Sequence, residues 1–225
     1  MTFGIIVQAR MGSSRLPGKS MKLLDKNPTI YHVITQLRNC KQVKNIIVAT
    51  TDSKEDDIIE EFVKKMDITC YRGNSLDVLD RFYKCAKKYS LSHIIRITAD
   101  NPLIDPNLVD NVITEYKKND FDYVTNCLKR TFPHGTEVEI LSFKALEKSW
   151  INGKKQYERE HVTPYIYNNP KSFKILNIQN KKNLSHLRWT LDTKEDLILI
   201  KKIINNIQAR PIILKDILNF LNQKF

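Results

Sequence analysis

The stretch FGIIVQA, residues 3–9, decides the fold, because it is an apolar run rich in β-branched residues close to the start of the chain. A continuous apolar run of this length is typical of a strand buried on both faces of a parallel sheet. Similar runs follow at residues 45–51, 68–71 and 93–98. Between the runs, apolar residues recur at spacings of three and four, which predicts helices over residues 29–37, 56–65 and 76–89. This alternation predicts an α/β fold with a mostly parallel twisted sheet and helices on both faces.

The second half of the chain alternates less regularly. The patterns predict helices over residues 106–117, 156–168, 194–206 and 213–222, and extended segments over residues 122–126, 135–142, 173–178 and 186–191. This half is expected to complete the sheet and to add a small β excursion over residues 122–170. No repeat, low-complexity tract or linker divides the chain, so residues 1–225 are expected to form one domain.

The net charge of the 225-residue chain is +12, which raises the question of a nucleic-acid partner. The lysines, however, are scattered among acidic residues, with no basic stripe and no interleaved aromatic residues that would form a stacking platform. We therefore expect a solvated surface and no nucleic-acid partner.

The sequence contains no run that approaches 18 apolar residues, and the first residues lead directly into a strand. We therefore expect a cytoplasmic protein that does not associate with membranes. The four cysteines form no CxxC pair, so we expect buried, reduced thiols and neither zinc nor disulfides at Cys40, Cys70, Cys85 and Cys127.

A loop rich in cations and glycines follows the first strand. Its sequence, QARMGSSRLPGK at residues 8–19, contains two arginines, one lysine, two serines and two glycines. Glycines allow close backbone approach, and fixed cations at the carboxyl end of a strand suit a triphosphate. The alternative is a flexible, solvent-facing basic loop. The loop is not a P-loop, because five residues separate Gly12 from Gly18 where four are required, and the GxGxxG dinucleotide fingerprint is absent.

Two carboxylates are candidate Mg²⁺ ligands. Asp100 ends the fourth apolar run, in RITAD, and Asp192 ends a later one, in WTLD. Mg²⁺ takes oxygen ligands and typically one or two protein carboxylates, with substrate phosphates and water completing the octahedron. The alternatives are a turn residue at Asp100 and, at Asp192, a helix N-cap with Glu195 at the capping-box position.

Three strings, QARMGSSRLPGK, RITADNPLIDP and RWTLDTKEDL, resemble the cytidylyltransferase family that contains the spore coat polysaccharide biosynthesis protein F, with relatives among the CMP-sialic acid and CMP-KDO synthetases. The resemblance covers residues 5–197 in the expected order. It implies a Rossmann-like fold of the nucleotide-diphospho-sugar transferase type. It also implies transfer of CMP from CTP to a sugar or sugar acid, with Mg²⁺ and release of pyrophosphate, for surface polysaccharide biosynthesis. A homodimer formed through residues 122–141 is a further implication.

The resemblance also implies roles for individual residues. The CTP phosphates are expected to contact Arg10, Ser13, Arg15 and Lys19, and the predicted catalytic residues are Arg10, Arg15, Lys19, Asp100 and Asp192. The rest of the predicted nucleotide site comprises Ala9, Met11, Gly12, Ser14, Thr51, Asp52, Arg72, Gly73, Asp77, Val78 and Arg81. The predicted acceptor site comprises His134, Gly135, Thr136, Glu137, Arg159 and His161.

The sequence leaves alternatives open for the roles of several residues and for the function. Arg159 and His161 equally fit a solvated helix face, Tyr157 and Trp189 are interpreted as packing residues, and no residue is assigned as general base. The rival functions are a nucleotide-sugar glycosyltransferase, although the DxD motif usual in such enzymes is absent at residues 100–103, and a nucleotide-binding protein without turnover.

Overall fold

The computed structural model describes residues 2–222. Its strands are β1 (Phe3–Gln8), β2 (Leu23–Leu24), β3 (Asn27–Pro28), β4 (Ile46–Thr51), β5 (Thr69–Gly73), β6 (His93–Thr98), β7 (Tyr123–Thr125), β8 (Glu139–Ser142) and β9 (Ile175–Asn177). Its helices are α1 (Thr29–Leu37), α2 (Asp57–Lys65), α3 (Val78–Lys88), α4 (Pro106–Lys117), α5 (Phe143–Asn152), α6 (Gln156–His161), α7 (Pro164–Tyr167), α8 (Lys194–Asn206) and α9 (Leu214–Asn222).

Seven of these strands form one sheet in the order β5-β4-β1-β6-β8-β7-β9, while β2 and β3 form a separate hairpin. The strands β5, β4, β1 and β6 are all parallel, β8 runs antiparallel to β6 and β7, and β9 is parallel to β7. The mostly parallel α/β fold is therefore confirmed. In such a sheet the ligand crevice lies beyond the carboxyl ends of the strands, where β1 and β6 end side by side.

Helices cover both faces of the sheet, as the near-continuous apolar strands require. On one face, α1, α2 and α4 pack against side chains such as Ile5 and Val7 of β1. On the other face, α3, α5 and the α6–α7 region pack against the alternate residues, including Ile6. Within residues 2–222, no helix is long and apolar enough to cross a bilayer.

A third apolar cluster joins the two ends of the chain. The helices α8 and α9 pack on Leu16 from the loop after β1 and on Trp189 and Leu191 from the segment before α8. Because this cluster fixes the backbone on either side of the crevice, it determines how far the first loop and the late segment lie apart.

The second half differs from the sequence prediction in four places. The predicted helix over residues 156–168 is two helices, α6 and α7, separated at Val162 by a left-handed backbone with φ 72°. The segment 186–191, predicted to be extended, does not join the sheet and pairs only through an isolated bridge between His134 and Arg188. The helix α5 was not predicted, and the strand predicted over residues 135–142 begins only at Glu139.

Candidate active site

The loop after β1 is anchored by a buried carboxylate that the sequence analysis did not identify. Asp56 is fully buried, and its Oδ1 accepts a hydrogen bond of 2.7 Å from the backbone N–H of Met11. Its Oδ2 accepts from the hydroxyl and backbone N–H of Thr51 and from the hydroxyl of Thr50. Asp56 therefore ties the start of the loop to the carboxyl end of β4.

Further along, the loop closes on itself. The carbonyl of Met11 accepts from the N–H of Ser13 at 2.8 Å and from the N–H of Gly18 at 2.9 Å. Gly18 has φ 69°, a left-handed conformation that glycine adopts without steric cost, and a short 3₁₀ turn at Lys19–Met21 follows it. Leu16 is buried in the cluster under α8 and α9. The result is an ordered turn that directs Arg15 and Lys19 toward the crevice.

Lys19 lies at the centre of a charged cluster. Its Nζ donates to Asp100 Oδ2 at 2.5 Å and to Asp192 Oδ1 at 2.9 Å, so one ammonium group bridges the two carboxylates. Arg15 Nη2 donates to the same Asp192 oxygen at 3.0 Å. The structure thus brings together four of the five residues predicted to be catalytic, and the fifth, Arg10, lines the same cleft.

Asp192 reaches this cluster through backbone contacts. The N–H of Leu191 donates to the carbonyl of Asp100 at 2.8 Å, which sets the two carboxylate-bearing segments side by side. The N-cap of α8 is Thr193, with Asp196 completing the capping box. The alternative interpretation of Asp192 as the cap, with Glu195 as its capping-box partner, was therefore wrong, and the Asp192 carboxylate faces the crevice instead.

The charge state of Asp192 follows from competing effects. Burial alone would raise the pKa of this carboxyl, but hydrogen bonds from Lys19 and Arg188 and the charges of Lys19 and Arg15 outweigh burial and leave the pKa below its ordinary value of 3.8. Arg188, which was not predicted, donates to Asp192 Oδ2 at 2.6 Å and to Asp196 Oδ1 at 3.1 Å. Asp192 is therefore an anion at neutral pH, as a metal or ammonium partner requires.

Two clefts meet at this cluster. The first, of about 310 Å³, is lined by loop residues including Arg10, Ser13, Ser14 and Lys19, together with Val78 from α3. The second, of about 590 Å³, is lined by Arg15 and by residues between β6 and the start of α8, among them Glu137, Glu139 and Asp192. We call them the loop cleft and the wide cleft.

The donor set suits a Mg²⁺ ion that arrives with a polyphosphate. Within the part of the chain that the structure describes, no group of three or more His, Cys, Asp or Glu side chains forms a metal cage. Asp100 and Asp192 supply two carboxylates around one cationic group, which matches the one or two protein carboxylates that Mg²⁺ typically uses alongside substrate phosphates and water.

Comparison with known proteins agrees with this geometry. The sequence profile of the cytidylyltransferase family matches residues 4–218. The chain belongs to the cytidylyltransferase family. It is 35% identical to the spore coat polysaccharide biosynthesis protein SpsF of Bacillus subtilis over 92% of this chain and 88% of that protein.

Solved structures share the fold of this chain. A cytidylyltransferase from Leptospira borgpetersenii has a TM-score of 0.96 and 34% identity, with 99% of this chain and 94% of that chain covered. CMP:2-keto-3-deoxy-manno-octonic acid synthetase in complex with CTP has a TM-score of 0.69 at 15% identity, with 91% of this chain and 99% of that chain covered, and so shares the fold.

Several residues predicted for the nucleotide site do not line either cleft of this cytidylyltransferase. Arg72 is held by Asp57 and Glu60 and by the carbonyls of Thr51 and Ser53. Asp77 caps α3 through the N–H of Asp80. The others that lie outside the cleft linings are Ala9, Met11, Gly12, Thr51, Asp52, Gly73 and Arg81.

Arg81 is unusual among these residues because its guanidinium is fully buried without a carboxylate partner. Nη1 donates to the carbonyl of Asn74 at 2.8 Å, whereas Nε and Nη2 have no partner within the described residues. Burial, followed by repulsion from Arg10, lowers the pKa of Arg81 to about 10. The charges of Asp56, Asp52 and Asp77 offset part of this cost, but two guanidinium nitrogens stay without hydrogen bonds to the described residues.

Some of the predicted acceptor residues line the wide cleft, and others support it from outside the lining. His134, Glu137 and His161 line the wide cleft, where Glu137 accepts from Arg130, Asn101 and the N–H of Gly135. Gly135 has φ 103°, and a Cβ there would lie 2.8 Å from the backbone nitrogen of Thr190, so Gly135 permits close approach of two chain segments. Thr136 is buried and donates to the carbonyl of Pro133.

Arg159 is not at the cleft. Its Nε and Nη2 donate to the Asp77 carboxylate and its Nη1 donates to the carbonyl of Trp150, so it ties α6 to the start of α3. Arg159 is therefore absent from the linings of both clefts, and its role at the acceptor site stays a prediction. Trp189 is fully buried, as predicted, but Tyr157 is 56% exposed and lines the wide cleft, so its interpretation as a packing residue was wrong.

The floor of the wide cleft is a buried network that the sequence analysis also missed. Glu139 accepts from Tyr123 at 2.5 Å, from Thr163 at 2.7 Å and from Arg96. Burial alone would lower the pKa of Arg96, but the adjacent Glu139 carboxylate raises it, and burial raises the pKa of Tyr123 well above 10. The only sequence signal was Arg96 itself, a charged residue inside the apolar run of β6.

Proposed function

We propose that this protein transfers the cytidylyl group of CTP to a hydroxyl of a sugar or sugar acid and releases pyrophosphate. The observation that carries the proposal is the Lys19 ammonium bridging Asp100 and Asp192 where the two clefts meet. A cationic loop on one side and two carboxylates on the other form a site for a polyanionic nucleotide and its divalent cation. Membership of the cytidylyltransferase family supports this assignment.

The residues of the loop cleft bind and orient the triphosphate. Arg10, Arg15, Lys19 and the Ser13 hydroxyl donate to phosphate oxygens, and Lys19 exchanges its carboxylate partners for the phosphates as the nucleotide enters. Asp100 and Asp192 would hold Mg²⁺, and the ion would supply neutralisation of phosphate charge. Positioning and charge neutralisation carry most of the catalysis in such transfers.

The acceptor occupies the wide cleft. Its walls carry both donors and acceptors, such as Arg130, Glu137 and Tyr157, which suits a polyhydroxylated ligand. SpsF of Bacillus subtilis is named for spore coat polysaccharide biosynthesis. We therefore propose a surface polysaccharide or glycoconjugate sugar as the acceptor. From the family resemblance we also propose a homodimer formed through residues 122–141 and a cytoplasmic location.

The test is a pyrophosphate-release assay that crosses four nucleoside triphosphates with a panel of sugars and sugar acids, with Mg²⁺ and with EDTA. We expect pyrophosphate with CTP, Mg²⁺ and a sugar or sugar acid, and a loss of at least 100-fold in turnover in Asp100→Ala and in Asp192→Ala. Asp120→Asn is the matched control, because this exposed carboxylate precedes β7 at the opposite edge of the sheet.

Other outcomes separate the rivals. Cleavage of a supplied sugar nucleotide without pyrophosphate would indicate a glycosyltransferase. Tight CTP binding without pyrophosphate for any acceptor would indicate a binding protein, and near-normal rates in either aspartate variant would remove that residue from the metal site.

A further inference from the structure

Five residues line both clefts and therefore mark the place where nucleotide and acceptor meet. They are Arg15, Arg96, Thr98, Asp100 and His161. In the proposed reaction an acceptor hydroxyl attacks the α-phosphorus at this junction. A group that takes the hydroxyl proton must lie within hydrogen-bond reach of it, so these five residues are the candidates.

Four of the five are unsuited to accept a proton. The guanidinium groups of Arg15 and Arg96 stay protonated in proteins. The Thr98 hydroxyl is a very weak base, and it already donates to Asp100 Oδ1 at 2.5 Å. Asp100 accepts from Lys19 through its other oxygen and is a proposed Mg²⁺ ligand. The remaining residue is His161, and imidazole is the side chain that exchanges a proton near neutral pH.

The backbone beside His161 is strained. Val162 has φ 72° and ψ −54°, and the N–H of Thr163 donates to the carbonyl of His161 at 2.9 Å. These values describe a classic γ-turn, which is rare and strained, above all for a β-branched residue. Strain of this kind persists only where the surrounding structure enforces it, and it is concentrated at functional sites.

The neighbours of the turn fix the backbone of His161. The Val162 side chain is fully buried in the core under α3 and α5, and Thr163 donates to Glu139 on the cleft floor. The Tyr157 ring lies against the imidazole with 4.5 Å between the ring centroids. The turn thus holds the His161 backbone at the rim, and the side chain lines both clefts.

We propose that His161 is the general base of the transfer, an inference that rests on the proposed function. An imidazole nitrogen accepts the acceptor O–H proton as the oxygen–phosphorus bond forms. The bond between the α-phosphorus and its bridging oxygen breaks, pyrophosphate leaves with that electron pair, and the imidazolium releases its proton to water. The charged or titratable groups that share the cleft walls with His161 come from most of the surrounding elements. They are Arg10, Arg15 and Lys19 of the first loop, Arg96 and Asp100 at the end of β6, Tyr123 on β7, Cys127, Arg130, His134 and Glu137 between β7 and β8, Glu139 on β8, Tyr157 and Glu160 on α6, Tyr167 on α7, and Arg188 and Asp192 before α8.

The test compares His161→Asn with His134→Asn, since His134 lines only the wide cleft. Both are assayed by pyrophosphate release from CTP, Mg²⁺ and the acceptor found active with the wild type. We expect His161→Asn to lower kcat roughly 10²- to 10⁴-fold, to change the KM for CTP less than about twofold and to lose the fall in kcat on the acidic side of the pH profile. We expect His134→Asn to raise the KM for the acceptor and to keep that fall.

A second variant guards against a merely structural effect. In His161→Ala, added imidazole should restore part of kcat, in proportion to the concentration of unprotonated imidazole. A misfolded protein would show no such rescue. The proposal is overturned if His161→Asn keeps more than a tenth of the wild-type kcat with the same pH profile, or if imidazole restores nothing. If the wild type releases no pyrophosphate with any acceptor, the proposed function fails as well.

Discussion

Asp196 shows how a residue outside the proposed chemistry supports it. Burial by itself would raise the pKa of its carboxyl, but hydrogen bonds from Arg188 and from the N–H groups of Asp192 and Thr193 outweigh burial and lower the pKa below 3.8. A carboxyl whose pKa falls on folding stabilises the protein above its unfolded pKa, and this contribution disappears as the pH falls through the folded value.

We therefore expect Asp196→Asn to lower the free energy of unfolding at pH 7 by about 1–3 kcal/mol. The difference from the wild type should shrink as the pH falls below about 4. Urea unfolding at pH 7 and pH 3.5 measures this difference. A deficit that is equal at both pH values would show that the charge of Asp196 contributes nothing.

At the scale of an element, the turn between α6 and α7 offers a test of strain. Val162→Ala and Val162→Gly both remove buried methyl groups, but only glycine relieves the left-handed backbone. We expect Val162→Gly to be at least as stable as Val162→Ala in urea, the reverse of the usual preference for alanine of about 0.5–1 kcal/mol. Its kcat for pyrophosphate release should nevertheless be lower, because the freed turn no longer fixes His161. If Val162→Gly is less stable than Val162→Ala, the backbone at Val162 is not strained.

The elements also show what sequence can and cannot predict. The helices α1, α4 and α8 match their predicted bounds, because each combines a clear apolar period with a distinct start. The helix α5 was missed because Ser142 is at once the last residue of β8 and the N-cap of α5, so no turn separates the two. Asp56 was missed because its role depends on the N–H of Met11, 45 positions away, and no local pattern marks that contact.

For the whole molecule, we expect the bound nucleotide to raise the free energy of unfolding. The loop cleft is bounded by residues from the first loop, from β6 and from α6, so a nucleotide bound there links distant parts of the chain. A ligand at 100 times its Kd stabilises the folded state by about 2.7 kcal/mol. We expect CTP with Mg²⁺ to raise the Tm by roughly 5–10 °C, since 1 kcal/mol corresponds to about 2–4 °C at this size.

Differential scanning calorimetry with CTP and Mg²⁺, CTP and EDTA, and UTP and Mg²⁺ measures this shift. We expect the largest shift with CTP and Mg²⁺, and a smaller one in Lys19→Ala. An equal shift in EDTA would argue against a metal held between the nucleotide and the two carboxylates.

The contact between Lys19 and Asp192 joins residues 173 positions apart. A chain emerging from the ribosome therefore displays its cationic loop long before the second carboxylate has been synthesised. We expect chains that stop before Asp192 to be catalytically inert, since they lack both this carboxylate and the apolar support of α8 and α9. Abortive translation products would then leave the cellular CTP pool untouched.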